Sequence, residues 1–233
     1  MKLVKDQDMV MQKFAKRFLI VSLFSLMLGG CKTEFSVDAF VSDTFADENL
    51  DTPAVMLVEI PTCEQQSEYE SKILALFDSG SAAKISGCEE KGMNSMMAVS
   101  LNAEMSSVES NKDLILFRHQ VDNMEIDGIN YEVRGLKPVI SKEFLTRVKS
   151  LMQENFQTLS YEDIAFEILL NNDEKGDILV TAYQLWVDGE PFESFRRQPL
   201  SRRGTYKLKF SNLVSDLILN HQMPIVAYIY RPL

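Results

Sequence analysis

From Phe35 to the C-terminus, apolar side chains recur mostly at every second residue, and this spacing limits the fold more than any single motif does. Phe35/Val37/Ala39/Val41 alternates as a strand with one wet face does. Met97/Val99/Leu101, Ile164/Phe166/Ile168/Leu170, Tyr206/Leu208/Phe210 and Val226/Tyr228/Tyr230 repeat the pattern. The runs 54–60, 114–117 and 178–187 are more continuously apolar, the first ended by Pro61. Asp127-Gly128 and Asp188-Gly189 stand between extended runs, where two-residue hairpins prefer such pairs, and 171–177 (NNDEKGD) reads as a longer loop. The sheets are therefore expected to be largely antiparallel.

Three segments depart from the alternation. Tyr69, Ile73, Leu76 and Phe77 fall at helical spacing, as do Phe144, Leu145, Val148, Leu151 and Met152 behind the capping hydroxyl of Ser141. A shorter stripe, Leu213, Val214, Leu217 and Ile218, follows Ser211-Asn212. The expected class is α+β, with about three helices packed on one face of the sheet. Strand, proline corner, helix and hairpin recur loosely at 55–104 and 131–187, and in shortened form at 205–231. Residue identities do not repeat, so layering explains the recurrence as well as duplication does. Any division into two sub-domains would fall near 122–135.

The N-terminus has a different character. Residues 18–30 (FLIVSLFSLMLGG) carry no charge and follow Lys13, Lys16 and Arg17. Thirteen helical residues rise only ~20 Å, short of the ~30 Å hydrocarbon core of a bilayer. The run ends in Leu28-Gly29-Gly30-Cys31. Basic residues, a short apolar run, small residues and then cysteine together resemble the signal of bacterial lipoproteins. That resemblance implies cleavage after Gly30 and a diacylglyceryl thioether on Cys31. Residues 1–30 are then a signal peptide, 31–34 the lipidated cysteine with a short tether, and 35–233 a periplasmic domain. Two or more acyl chains suffice for stable membrane anchoring, so the lipid bilayer becomes a partner through Cys31. Lys32, where an inner-membrane retention signal would have Asp, points to the outer membrane, facing the periplasm.

Charge narrows the partners further. Lys+Arg 24 against Asp+Glu 34 gives −10, and loss of residues 1–30 removes five basic and two acidic groups, leaving −13. Such a domain is a poor coat for nucleic acid. One segment runs against the trend: residues 196–209 (RRQPLSRRGTYKLK) carry six cations and no acid. Arg196, Arg197, Arg202 and Arg203 are candidates for recognising an anionic lipid or an acidic protein, by bidentate contacts to phosphate or carboxylate. The alternative is a solvated loop whose arginines pair with surplus acids of the same chain.

Cys63 and Cys88 remain once Cys31 is acylated. In an oxidising compartment they read as a disulfide, worth roughly 3–4 kcal/mol by loop entropy. Two free buried thiols are the alternative, and neither Cys-x-x-Cys spacing nor a neighbouring histidine favours metal or redox use. No catalytic, metal or cofactor motif is legible. His119 and His221 stand alone, Ser81-Ala82-Ala83-Lys84 matches Ser-x-x-Lys without its Lys-Thr-Gly partner, and the 171–177 loop has Lys175 where a calcium loop needs an oxygen. The reading is a membrane-anchored binding or adaptor module. Its short acidic ectodomain resembles, in general character, lipoproteins carried by phages and plasmids. The alternative is an envelope hydrolase acting on peptidoglycan or glycolipid.

Overall fold

The structure, a computed structural model, describes residues 32–78, 80–92, 94–108, 110, 112–154, 163–192, 196–220 and 225–233. Among them are thirteen strands: β1 Thr33–Phe40, β2 Leu50–Ile60, β3 Lys84–Lys91, β4 Asn94–Ser106, β5 Leu114–Ile126, β6 Ile129–Ile140, β7 Ile164–Asn171, β8 Ile178–Ala182, β9 Leu185–Val187, β10 Glu190–Pro191, β11 Gln198–Leu200, β12 Thr205–Phe210 and β13 Ala227–Pro232. Four short α-helices accompany them: α1 Val41–Thr44, α2 Gln66–Leu74 after a 3-10 turn at Cys63–Gln65, α3 Lys142–Glu154 and α4 Asn212–Leu219. All strands join one sheet, in the order β10-β9-β12-β7-β1-β2-β4-β5-β6-β13-β8-β11, with β3 on the remaining edge of β4. Among the described residues, only β1–β7 and β4–β5 pair in parallel.

The expected α+β class is therefore wrong. The chain is mostly β, a single sheet curled into a half-barrel, and its helices form no separate layer. The physical reason is curvature. A flat sheet exposes its apolar face and needs a helical layer to cover it, whereas a curled one encloses most of that face itself. Short helices then fill the remaining space. Phe144 of α3 packs edge-on to Phe35 (6.2 Å) and tilted against Phe77 (5.3 Å), and Phe35 stacks on Phe166 at 5.1 Å. Ile73 of α2 and Val214 and Ile218 of α4 are buried in the same core. The caps read from sequence are present: Ser141 Oγ accepts from Phe144 N at 3.0 Å, and Ser211 Oγ from Val214 N at 3.4 Å.

The sheet's two flanks are joined by one long bent hairpin. Its arms are β8–β9 and β10–β11, held in nearly constant register by Gln198↔Val180, Glu190↔Val187 and the Phe192 N–H on Leu185 O (3.0 Å). The inner arm pairs with β13 through β8 (Ala227↔Ala182) and with β12 through β9 (Phe210↔Leu185). β12 and β13 are the last strands of the eight-strand run between them, so the hairpin hydrogen-bonds to both ends of that run. Its tip, Asp188-Gly189, has φ of 52° and 90°, and Asp127-Gly128 between β5 and β6 has 50° and 80°. Positive φ at both central residues is what a type I′ turn requires. Residues 122–135, the expected place of any sub-domain break, lie in the β5–β6 hairpin, within the compact unit Cys31–Leu233.

Register also gives the sheet two ends. Thr33 is level with Val58, Met97 and Cys88, and Phe40 with Asn171 and Thr205. β1 separates these levels by roughly 23 Å at ~3.3 Å per residue. β5 leaves β4 at the Phe40 end, where Ile115 lies beside Glu104, and runs on as a projecting hairpin.

Candidate functional site

On the outer face of the sheet, strand parity lines up one residue from each of five neighbouring strands. Trp186 (β9) lies opposite Lys209 (β12), Lys209 opposite Glu167 (β7), Glu167 opposite Ser36 (β1) and Ser36 opposite Val55 (β2). Trp186 is 44 % exposed because its strand neighbours Leu185 and Val187 take the inward positions. Glu167 accepts from Ser36 Oγ (3.3 Å) and pairs with Lys207 Nζ (2.9 Å), while Lys91 Nζ pairs with Glu34 at 2.8 Å. The hydrogen bond to Glu34 raises the Lys91 pKa despite partial burial. Among the described residues, Lys209 has no carboxylate partner. Two shallow cavities border the row and share Lys209: one of about 330 Å³ over Glu34, Ser36, Val55 and Glu167, the other of about 520 Å³ between Trp186, Gly189, Ser211 and Asn212.

A second cluster lies on the inner side at the Phe40 end. Arg118 of β5 is 2 % exposed. Its guanidinium donates to the carbonyls of Asp43 (2.8 Å), Ala46 and Glu48 (2.6 Å), fastening the α1 loop, while its Nε has no partner. Burial and the nearby Arg134 lower its pKa, opposed by Asp43 and Asp47. Phe45 is flanked by Arg231, 4.1 Å from the ring centre, and Arg134, at 5.7 Å. Glu132 bridges those two arginines (2.7 and 2.6 Å), and Arg231 reaches Glu174 at 3.2 Å. Burial works against the Arg231 charge, but the hydrogen bonds to Glu132 and Glu174 outweigh it and raise its pKa. Every cation here is engaged with the chain itself, so the cluster reads as a fastening.

Residues 32–231 match the family described as Domain of unknown function (DUF7424). The chain belongs to this family. No curated protein and no solved structure matches it. The DUF7424 domain thus starts one residue after Cys31, and its first strand at Thr33.

Within the DUF7424 domain, Cys63 and Cys88 form the expected disulfide, with Cα atoms 5.6 Å apart, linking the 3-10 turn before α2 to the edge strand β3. Cys31 and His221 lie outside the described residues. Arg196, Arg197, Arg202 and Arg203 are all exposed but flank β11 in two pairs. Arg197 lies 5.6 Å over the Tyr230 ring, in an outer-face cluster with Tyr131 and Val133. Arg202 and Arg203 form the β11–β12 turn beside the 171–177 loop, where Asp177 accepts from Arg202 N at 2.8 Å. That loop's oxygens are taken up by the chain: Asp173 accepts from Ser42 N and Oγ, and Asn172 from Glu174 N. Ser81 is buried with its hydroxyl on Asp78 O (2.9 Å), a structural role, and His119 is exposed on β5. No group of three or more His, Cys, Asp or Glu among the described residues is placed to hold a metal. No described helix is long and apolar enough to cross a membrane.

Two residues of consequence escape a motif-based reading. Trp186 was signalled by parity, since Leu185 and Val187 are the better candidates for the core and leave the indole facing out. Arg118 carried no signal, because a buried arginine whose partners are backbone carbonyls leaves no pattern in the sequence.

Proposed function

We propose that this chain is a lipid-anchored lipoprotein of the bacterial cell envelope, in the outer membrane facing the periplasm, whose DUF7424 domain works by binding as an adaptor or recognition module. The observation that carries the reading is the junction at residues 28–33. The apolar run ends in Leu28-Gly29-Gly30-Cys31, the family match begins at Lys32, and strand pairing begins at Thr33. The Cys63–Cys88 bridge suits an oxidising compartment.

With one residue between the acylated cysteine and β1, the Thr33 end lies nearest the headgroups, and the Phe40 end is roughly 23 Å further along the strand. Arg202 and Arg203 belong to the far end, since Thr205 is level with Phe40. An acidic protein segment therefore fits that turn better than the headgroups of the anchoring leaflet do. Intact-mass analysis of membrane-purified chain tests the anchor. The expected species lacks residues 1–30 and carries acyl mass on Cys31, and Cys31→Ser accumulates as an unlipidated precursor. An unmodified Cys31 in the wild-type membrane fraction would overturn the reading.

A further inference from the structure

We infer that the outer-face row Trp186–Lys209–Glu167–Ser36 is a binding platform for a hexopyranose glycan that carries an acidic group. The inference rests on the binding-module reading above and names its ligand class.

Trp186 is the only tryptophan in 233 residues, and it faces solvent on a regular strand. Its indole N–H has no acceptor among the described residues. An indole half in water presents an apolar π-face with a polar edge, matching a pyranose ring, whose C–H groups form an apolar face and whose hydroxyls form a polar rim. Polar side chains follow at strand spacing. Lys209, Glu167 and Ser36 succeed one another at about 4.8 Å per strand, so the row from Trp186 to Val55 extends about 19 Å, the length of a short oligosaccharide. The two cavities flank Lys209, one on the Glu167 side and one on the Trp186 side.

Charge selects the kind of glycan. Of the three lysines around these cavities, Lys91 is paired with Glu34 and Lys207 with Glu167. Lys209, opposite Trp186, forms no ion pair among the described residues, and it suits one carboxylate or phosphate on the bound sugar. Ser36 is three residues from Thr33, so the row lies roughly 10 Å along the strand from the anchored end, within reach of envelope glycans. Acidic glycans of that kind come from two sources in the periplasm, peptidoglycan strands stripped of their stem peptides, whose muramic carboxylates are free, and the phosphorylated core of lipopolysaccharide in transit to the outer surface.

Because the chain has one tryptophan, its emission reports this site and no other. The test uses the full chain in a zwitterionic detergent without a sugar headgroup. Three ligands are titrated: a stem-peptide-free tetrasaccharide of alternating N-acetylglucosamine and N-acetylmuramic acid, chitotetraose as its uncharged counterpart, and lipid-free lipopolysaccharide core. The expected result is a saturable blue shift, with the muramic tetrasaccharide bound several-fold more tightly than chitotetraose. Calorimetry should show Trp186→Leu weakening it about tenfold, a change of about 1.4 kcal/mol. Lys209→Gln, which leaves the fluorophore in place, should abolish the preference for the acidic glycan. Tighter binding of the lipopolysaccharide core also supports the platform and assigns it the other source. No emission change and no heat with any of the three would overturn it, while acyl mass on Cys31 in the same preparation would leave the lipoprotein reading standing.

Discussion

At the Thr33 end the sheet margin is held by a covalent bond, Cys63–Cys88 tying the polar edge strand β3 to the turn before α2. At the Phe40 end the α1 loop is held by Arg118 and by the Glu132–Arg134–Arg231–Glu174 network around Phe45. The two solutions answer one problem, fixing a loop to the rim of a curled sheet that lacks a helical layer. They differ in what undoes them. A disulfide yields to a reductant, whereas a partly buried charge network yields to loss of any member. A reductant should therefore loosen one end of the molecule, and removal of a charged partner the other.

The largest expected effect tests the covalent end. Cys63→Ser with Cys88→Ser frees a loop with a sequence separation of 25 and should cost about 3.5 kcal/mol in urea unfolding. Dithiothreitol should reproduce this in the wild type and add nothing in the double variant. Next comes Arg118→Met, which keeps the side-chain length, removes the guanidinium that three part-buried hydrogen bonds depend on and frees the α1 loop carbonyls of Asp43, Ala46 and Glu48. A loss of about 2–3 kcal/mol is expected, with amide exchange accelerating at 43–48 and not along β2–β4. Equal acceleration at both ends would break the comparison.

A smaller effect is set by pH. Burial, with the neighbouring Asp173, raises the Asp43 pKa above its ordinary 3.8. A carboxyl with a raised folded-state pKa binds protons more readily folded than unfolded, so its charge costs stability at neutral pH. That penalty is relieved as pH falls through the raised value toward 3.8, and this group's contribution makes the fold more stable over that window. Asp43→Asn should flatten this part of the pH profile, as followed by thermal unfolding between pH 7 and 4. The smallest stability change is expected for Arg202→Gln with Arg203→Gln, within about 0.5 kcal/mol because both side chains are exposed. Polyglutamate binding should nonetheless weaken in that variant, and wild-type binding should decline as salt rises.

Local structure was legible where one residue type does one job. Ser141 and Ser211 marked their helices, Asp127-Gly128 and Asp188-Gly189 their hairpins, and the two cysteines their bridge. Strand length was less legible. The second half of β5, Arg118–Ile126, and the edge strand β3 (KISGCEEK) have too few alternating apolar residues to announce themselves, because most of their side chains meet water. Missing them made the helices look like a larger share of the fold and led to the α+β class. Sheet curvature depends on pairings such as Glu34↔Ala165, which no local pattern encodes. Of the platform, Trp186 was readable by parity, while its neighbours Lys209 and Glu167 came together only through register.

If the chain is exported N-terminus first, as the lipoprotein proposal has it, the parallel pairing of β1 with β7 sets a schedule for its folding. β1 emerges earliest, yet its partner Ile164–Asn171 lies 131 residues later, as the Ser36–Glu167 contact records. Until that distant segment arrives, one edge of β1 is an open template for any extended peptide in the vicinity. Maturation is thus a race between translocation and misassociation. It should depend on the envelope's holding chaperones in a way that the finished domain does not.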